Sequence, residues 1–474
     1  MALRTLNVEL SLLKQEPFNR LDVKFYLINK FFDKLSNELH FTVKPLSELQ
    51  KSIRSGSYID SYTTKENGIP YLRVADIKPF SLDENEDDLA YVSNSVPDKI
   101  KLKENDILVA RTQATIDKLG TASIVDKTNS GWATSQHTTR ILLDIDKVSP
   151  FYIVAYLNSK FFKAQSALAS HGDTRVEMTH SQFNQVKIFF PEEKSFLNIV
   201  EKVKKIVKYN REALSLVEEA KAEFLNITKL ETKTKKEKYF SSELKTLIEF
   251  DIWNPTCHLP FYVQNEMNLK KSFKTLTLGQ VAEIQKGNEP GSNNYEIYLW
   301  RNESDWAFIR TSDIINNEID LFPDYFIPEG IGSNFIQDLR VGDILFTKDG
   351  KIGQTAMLTK NDKVFLASGV ARIRLKSEIE KQYKFTPEYI FTCLSVKETG
   401  YYPAIRRTII GTTIPHLREE RMKQIAIPII NGQQISIITK KIKQAFKLKS
   451  ERKKLINEVL NEIDSYYEKF VHLV

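Results

Sequence analysis

Cysteine and histidine are scarce in this chain. Two cysteines, Cys257 and Cys393, and seven histidines are spread over 474 residues, too few and too scattered for a disulfide framework or a recognisable zinc cluster. Both thiols therefore read as reduced and structural, and no metal site is expected. His137, His171, His180 and His416 have no ligand spacing. Long apolar runs are also missing. No stretch approaches the ~18 residues of a membrane span, and the first ten residues, with Arg4 and Glu9 among them, hold no apolar core of signal-peptide length. A cytoplasmic location with no membrane partner is the expectation. A phosphate-cradling glycine loop is absent as well, because the nearest candidate, DGKIGQT from Asp349 to Thr355, lacks the required spacing.

What is present is periodicity. Starting at Phe196, steps of three and four alternate through Ile199, Val203, Ile206, Asn210, Ala213, Val217, Ala220, Phe224 and Ile227, the seam of a coiled coil. The same spacing returns near the other end in Ile435, Ile438, Ile442, Ala445, Ile456, Val459, Ile463, Tyr466, Phe470 and Leu473. Each seam follows a proline, Pro191 or Pro428, and these lie 237 residues apart, half the chain.

The intervening sequence repeats at that interval. YLRVADI, with Asp76, answers to FIRTSDI, with Asp313; NDILVAR, with Asp106, answers to GDILFTK, with Asp343; and Tyr152 answers to Tyr389. Arg140 of TRILL meets Arg372 of ARIRL. The chain is thus a tandem duplication. Its fold class reads as α+β, a β-rich domain followed by a long helix, twice, with the two helices pairing as an antiparallel coiled coil. The expected boundaries are 1-190 for the first β-rich domain, 191-247 for the first long helix and linker, 248-427 for the second domain and 428-474 for the second helix.

Frame positions agree between the copies while the polar hairpin tips differ, RTQATIDK against KDGKI. Unlike loops on like scaffolds suit a molecule that holds two different things at a fixed separation. The seam from Phe196 to Ile227 would span ~47 Å at ~1.5 Å per residue. The net charge of +7 favours an anionic partner only weakly at this length. A lysine cluster, Lys229, Lys233, Lys235, Lys236 and Lys238, reads as a solvated helix end or a phosphate contact.

PYLRVADI, NDILVAR, FIRTSDI and GDILFTKDGKIGQTA, each frame occurring twice beside two seams, resemble the specificity subunits of type I restriction-modification systems. The likeness covers nearly the whole chain. One departure is that the acidic and glutamine residues usual after the helix-leading proline stand here as PEEKSF and PIINGQQ. The resemblance implies two target-recognition domains that read an asymmetric, bipartite double-stranded DNA site for phage defence. It further implies two adenine methyltransferase (modification) subunits and restriction or translocase subunits as partners. S-adenosylmethionine, ATP and Mg would sit on those partners, with no cofactor and no catalytic residue on this chain. In agreement, Asn254-Pro255 is not followed by the proline and aromatic of an adenine methyltransferase pocket. A bivalent DNA-binding regulator or a protein-interaction scaffold without methyltransferase partners remains the alternative.

Side chains of the right type to address base edges or phosphates are Arg111, Thr112, Gln113, Lys118, Gln136 and Arg175 in the first copy. In the second they are Lys348, Lys351, Arg406 and Arg407. An ordinary solvent loop is the competing account for each. Arg73 and Arg310, inside frame phrases, read as structural ion pairs. At mid-seam, Asn210 meets Lys449 and Arg452, either a polar layer that fixes register or a solvated gap; if a layer, Asn210→Leu should raise stability and loosen register.

Overall fold

The computed structural model describes residues 23–86, 88–170, 175–230, 239–250, 252–289, 305–328, 337–410 and 414–471. His171 and the lysines at 233, 235, 236 and 238 lie outside them. The chain divides into two compact units, one running to Lys208 and resuming at Lys454, the other Tyr209–Lys453. This differs from the four-segment division read from the sequence, and the reason is packing. In the second unit Val217, Phe224, Ile435 and Ile442 share one buried core with Ile344, Phe346, Tyr389 and Phe391. The long helices, Glu193–Thr228 and Gly432–Val471, are therefore parts of the domain cores they line.

Both units repeat one topology. The first has a four-stranded antiparallel sheet in the order Gln50–Ser55, Thr138–Leu143, Ile107–Ala110, Ala122–Ile124. The second has Ala282–Lys286, Val370–Leu375, Ile344–Thr347, Thr355–Met357 in the same order. Ile107–Ala110 and Ile344–Thr347 are buried at every position, which is why ILVA and ILFT read as apolar runs rather than alternating ones. The same frame hydrogen bonds recur in both copies. Asp76 accepts the backbone N–H of Arg73 at 2.7 Å and its Nε at 3.2 Å; Asp313 accepts those of Arg310 at 2.8 and 3.2 Å. Asp106 accepts the N–H of Lys103 at 2.6 Å and Asp343 that of Arg340 at 2.7 Å.

The pairing of Arg140 with Arg372 holds in the strand register, but their ion pairs differ. Arg140 lies across from Leu108 as Arg372 does from Leu345, and Arg140 holds Asp106 at 2.5 Å. Asp343, however, is held by Arg374 at 2.7 Å on both carboxylate oxygens, while the buried Nε of Arg372 has no hydrogen-bond partner among the described residues.

Each unit pairs its own segments of the two helices in antiparallel fashion. In the first unit Tyr466 donates to Glu192 at 2.5 Å, Ser195 donates to Glu462 at 2.6 Å, and Lys202 lies 3.3 Å from Glu458. In the second, Lys441 meets Glu219 at 2.5 Å and Arg452 donates to Asn210. Seam positions Val203, Asn210, Val217, Phe224, Ile435, Ile442, Ile456 and Ile463 are buried; Phe196 is half-buried, its ring 4.8 Å from that of Tyr152. The departure at PIINGQQ has a local explanation. Asn431 caps the second helix, accepting the N–H of Gln433 at 2.8 Å, while Gln434 reaches back to the N–H of Asn431 at 3.3 Å.

Mid-seam in the second unit is a closed polar layer, not a gap. Arg452 donates to Asn210 and to Glu318; Lys449 donates to the Asn316 carbonyl at 2.7 Å and lies 3.8 Å from Glu318. Glu318 comes from a two-residue hairpin, Ile314–Ile315 to Glu318–Ile319, whose turn residues Asn316 and Asn317 have φ of 51° and 58°, the type I′ geometry that asparagine tolerates. A second loop joins in, with Asn361 donating to the Ser450 carbonyl at 2.9 Å and Lys453 paired to Asp362. Burial pulls the Lys449 ammonium down to about 8 against the pull of Glu318. Burial also opposes ionisation of Glu318, but Arg452 and Lys449 outweigh it and hold the carboxyl below its usual range. In the first copy the position 237 residues earlier is Ser81.

The first unit has a different helix contact. Asp464 accepts the backbone N–H of Lys160 at 2.7 Å, and burial lifts its carboxyl to about 6. A carboxyl whose folded pKa exceeds its unfolded value makes the fold bind protons more tightly, so its contribution is lost as pH rises from about 4 to 6. Asp464→Asn keeps an acceptor and removes that cost. The variant should be more stable at pH 7 by on the order of 1–3 kcal/mol, with no gain at pH 3.5; urea unfolding at the two pH values checks it.

Candidate nucleic-acid interface

The differing loops gather at one end of each four-stranded sheet. In the first unit Ser55 pairs across Thr139 to Val109, and the chain turns just beyond this row. Ser57 donates its N–H to the Thr134 carbonyl at 3.1 Å, Arg111 to that of His137 at 3.2 Å, and Met178 to that of Arg111 at 3.0 Å. Thr112–Gln113 then pairs with Val176–Glu177. Four loops, following Ser55, Arg111, Ser135 and Arg175, are thereby fixed to one another. Gly56 is required where two of them cross, since a Cβ would sit 1.9 Å from the Thr134 carbonyl oxygen.

The second unit builds the same end with other side chains. Lys348 donates its N–H to the Gly369 carbonyl at 2.8 Å and accepts that of Leu417 at 2.8 Å. A Cβ on Gly287 would meet the Leu366 oxygen at 2.2 Å, and His416 is hydrogen-bonded to Asp349.

The residues singled out from the sequence fall into two groups. Gln136 and Arg175 are exposed; Arg111, Gln113, Lys118 and Lys351 are half-buried. These surround the loop ends. Thr112, Lys348, Arg406 and Arg407 are buried, a correction to their reading as contact residues. Lys348 is sealed against Asp349 and Glu419 at 3.3 and 3.5 Å. Arg406 and Arg407 reach inward to Glu266 at 2.8 and 2.6 Å, with Arg406 stacked 4.1 Å over the ring of Phe250. Their charge neutralises a buried carboxylate and is not available to phosphate. Arg73 and Arg310 are in structural ion pairs.

Other candidates emerge only from the fold. Tyr58 and Tyr62, 70% and 59% exposed, lie on the connection after Gly56. Tyr62 packs its ring 6.1 Å from that of Tyr71, whose hydroxyl donates to the Ser57 carbonyl at 2.6 Å. Ser55 and Glu177 flank Arg111 and lie 56 and 66 residues from it in the chain. The paired Gly56 and Gly287, each leaving the first strand of its sheet, are the one signal that could have marked this end. Among the described residues no cluster of metal ligands occurs, and no helix is long and apolar enough to cross a membrane.

Residues 270–461 match the family model of the type I restriction modification DNA specificity domain. Among solved structures, the type I restriction-modification S subunit from M. genitalium is 13% identical, with 92% of this chain and 96% of that chain covered and a TM-score of 0.32. The HsdS subunit from Thermoanaerobacter tengcongensis is 15% identical, with 90% and 95% covered and a TM-score of 0.29. The type IIG restriction endonuclease BpuSI is 7% identical over 69% of this chain and 41% of that one, with a TM-score of 0.28. No curated protein matches. The family domain occupies the second copy of a frame whose Arg310–Asp313 pair recurs in the first as Arg73–Asp76. At the level of sequence the likeness is therefore to the DNA specificity domain of type I restriction modification systems, over residues 270–461.

Proposed function

We propose that the two β-rich domains each read one half of an asymmetric, bipartite double-stranded DNA site, and that the chain thereby directs adenine methylation or cleavage by partner subunits. The observation that carries this is the doubled loop end, with the same backbone hydrogen bonds around Arg111 and Lys348 but unlike side chains on the loops. Polar loops on a rigid sheet end suit the reading of base edges, while neighbouring cations position the backbone. Gln113, Lys118, Gln136, Arg175 and Lys351 are the reading or phosphate-holding candidates beside Arg111. Two modification subunits would carry S-adenosylmethionine, and restriction subunits ATP and Mg.

Sequencing the methylome of a host that expresses this chain with its modification subunit tests the reading. Methylated adenines in two unlike half-sites around an unread gap are expected. A single contiguous or perfectly palindromic site would overturn it. Exchanging 111–118 for another loop should alter one half-site and leave the other intact, and a change in both would show that the halves do not read independently.

A further inference from the structure

Resting on that reading, we infer that Arg111 reads a guanine in the first half-site, with Glu177 and Ser55 as positioning residues that hold its guanidinium. The backbone at Arg111 is pinned on both sides, its N–H on His137 and its carbonyl under Met178. The side chain is pinned too. Nη1 donates to Ser55 Oγ at 3.0 Å and Nη2 to Glu177 Oε1, and 23% of the side chain stays open to solvent. Each terminal nitrogen carries two N–H groups and has one partner among the described residues, which leaves one N–H on each for the O6 and N7 acceptors of guanine to take in bidentate fashion.

The carboxylate also decides against a phosphate role. A phosphate site needs net positive charge, and the Arg111–Glu177 pair has none. A base edge needs donors held in a fixed plane, which Glu177 and Ser55 supply. His180 shares the Ser55 hydroxyl at 3.0 Å; burial, and then the charge of Arg111, hold its imidazole below the usual value. A neutral ring there leaves the guanidinium as the cation of the group. Lys348 occupies the same backbone position in the second copy, yet only 3% of its side chain is exposed. The two half-sites should therefore differ at this base pair.

The test is the methylome of cells expressing the full chain with its modification subunit, in wild-type, Arg111→Lys, Arg111→Gln and Glu177→Gln forms. The half-site that responds to exchange of 111–118 identifies the first domain. Expected is a G·C pair in that half-site at which discrimination falls about 10- to 100-fold in both Arg111 variants and by less in Glu177→Gln, the other half-site being unchanged. Arg111→Lys keeps the charge and a bond to Glu177 and loses only the fork, so it separates reading from folding. A first half-site without G·C, an unchanged motif in a folded Arg111→Lys complex, or weaker methylation spread evenly over an unchanged motif would each overturn the inference. If the wild-type chain returns no bipartite site, the proposed function fails; if it does and Arg111 leaves the motif untouched, this inference alone fails.

Discussion

Glu318→Leu is expected to destabilise the second unit by about 3–5 kcal/mol. The substitution removes the carboxylate that faces both Arg452 and Lys449, all three groups being buried. Lys449, already pulled down to about 8, can shed its proton at modest cost. Arginine cannot, so most of the loss should trace to Arg452, and adding Arg452→Leu should restore much of it. Asn210→Leu should also lower stability, by roughly 1–3 kcal/mol, because it takes an acceptor from a buried guanidinium. That reverses the gain expected from the seam alone. Urea or thermal unfolding decides, and an unchanged midpoint in Glu318→Leu would show that the layer is hydrated rather than sealed.

Glu266→Gln should cost a similar amount at neutral pH, again about 3–5 kcal/mol, by leaving Arg406 and Arg407 buried without a countercharge. Here the pH dependence adds a second reading. Burial works against the Glu266 carboxylate, but hydrogen bonds and charge from Arg407, followed by Lys270, overcome it and bring the pKa down to about 2. With a folded pKa below the unfolded one, the stabilisation is complete above about pH 5 and is lost as pH falls towards 2, for about 3 kcal/mol in all. The wild-type chain should lose stability over that window by more than Glu266→Gln does. Equal slopes in guanidinium unfolding between pH 5 and 3 would contradict the assignment.

The parts of the fold legible in the sequence are those with local periodicity or duplication. Seam spacing places the long helices, and Asp76 with Asp313, or Asp106 with Asp343, places the strands and turns around them because each aspartate bonds a backbone N–H three residues away. Burial of charge is another matter. Arg406-Arg407 looks like a basic loop end until Glu266, 140 residues earlier for Arg406, is brought against it. Lys348 looks like a tip until Glu419 closes over it. Asn210 was legible as a polar interruption, but not as part of a closed layer, since the third member of that layer arrives from a β-hairpin and helix spacing holds no trace of it.

The same hairpin bears on how such a chain could be remade by recombination. Arg452 and Lys449 sit on the helix, and their anion sits on the domain, at a position that is serine in the first copy. A domain moved from the first slot into the second would arrive with Ser81 where the cations need a carboxylate. Trading domains between different chains within one slot can preserve the pair; trading between slots breaks it. Exchange of β-rich domains between the two slots is therefore directional, and a graft into the second slot should carry a Ser81→Glu change with it.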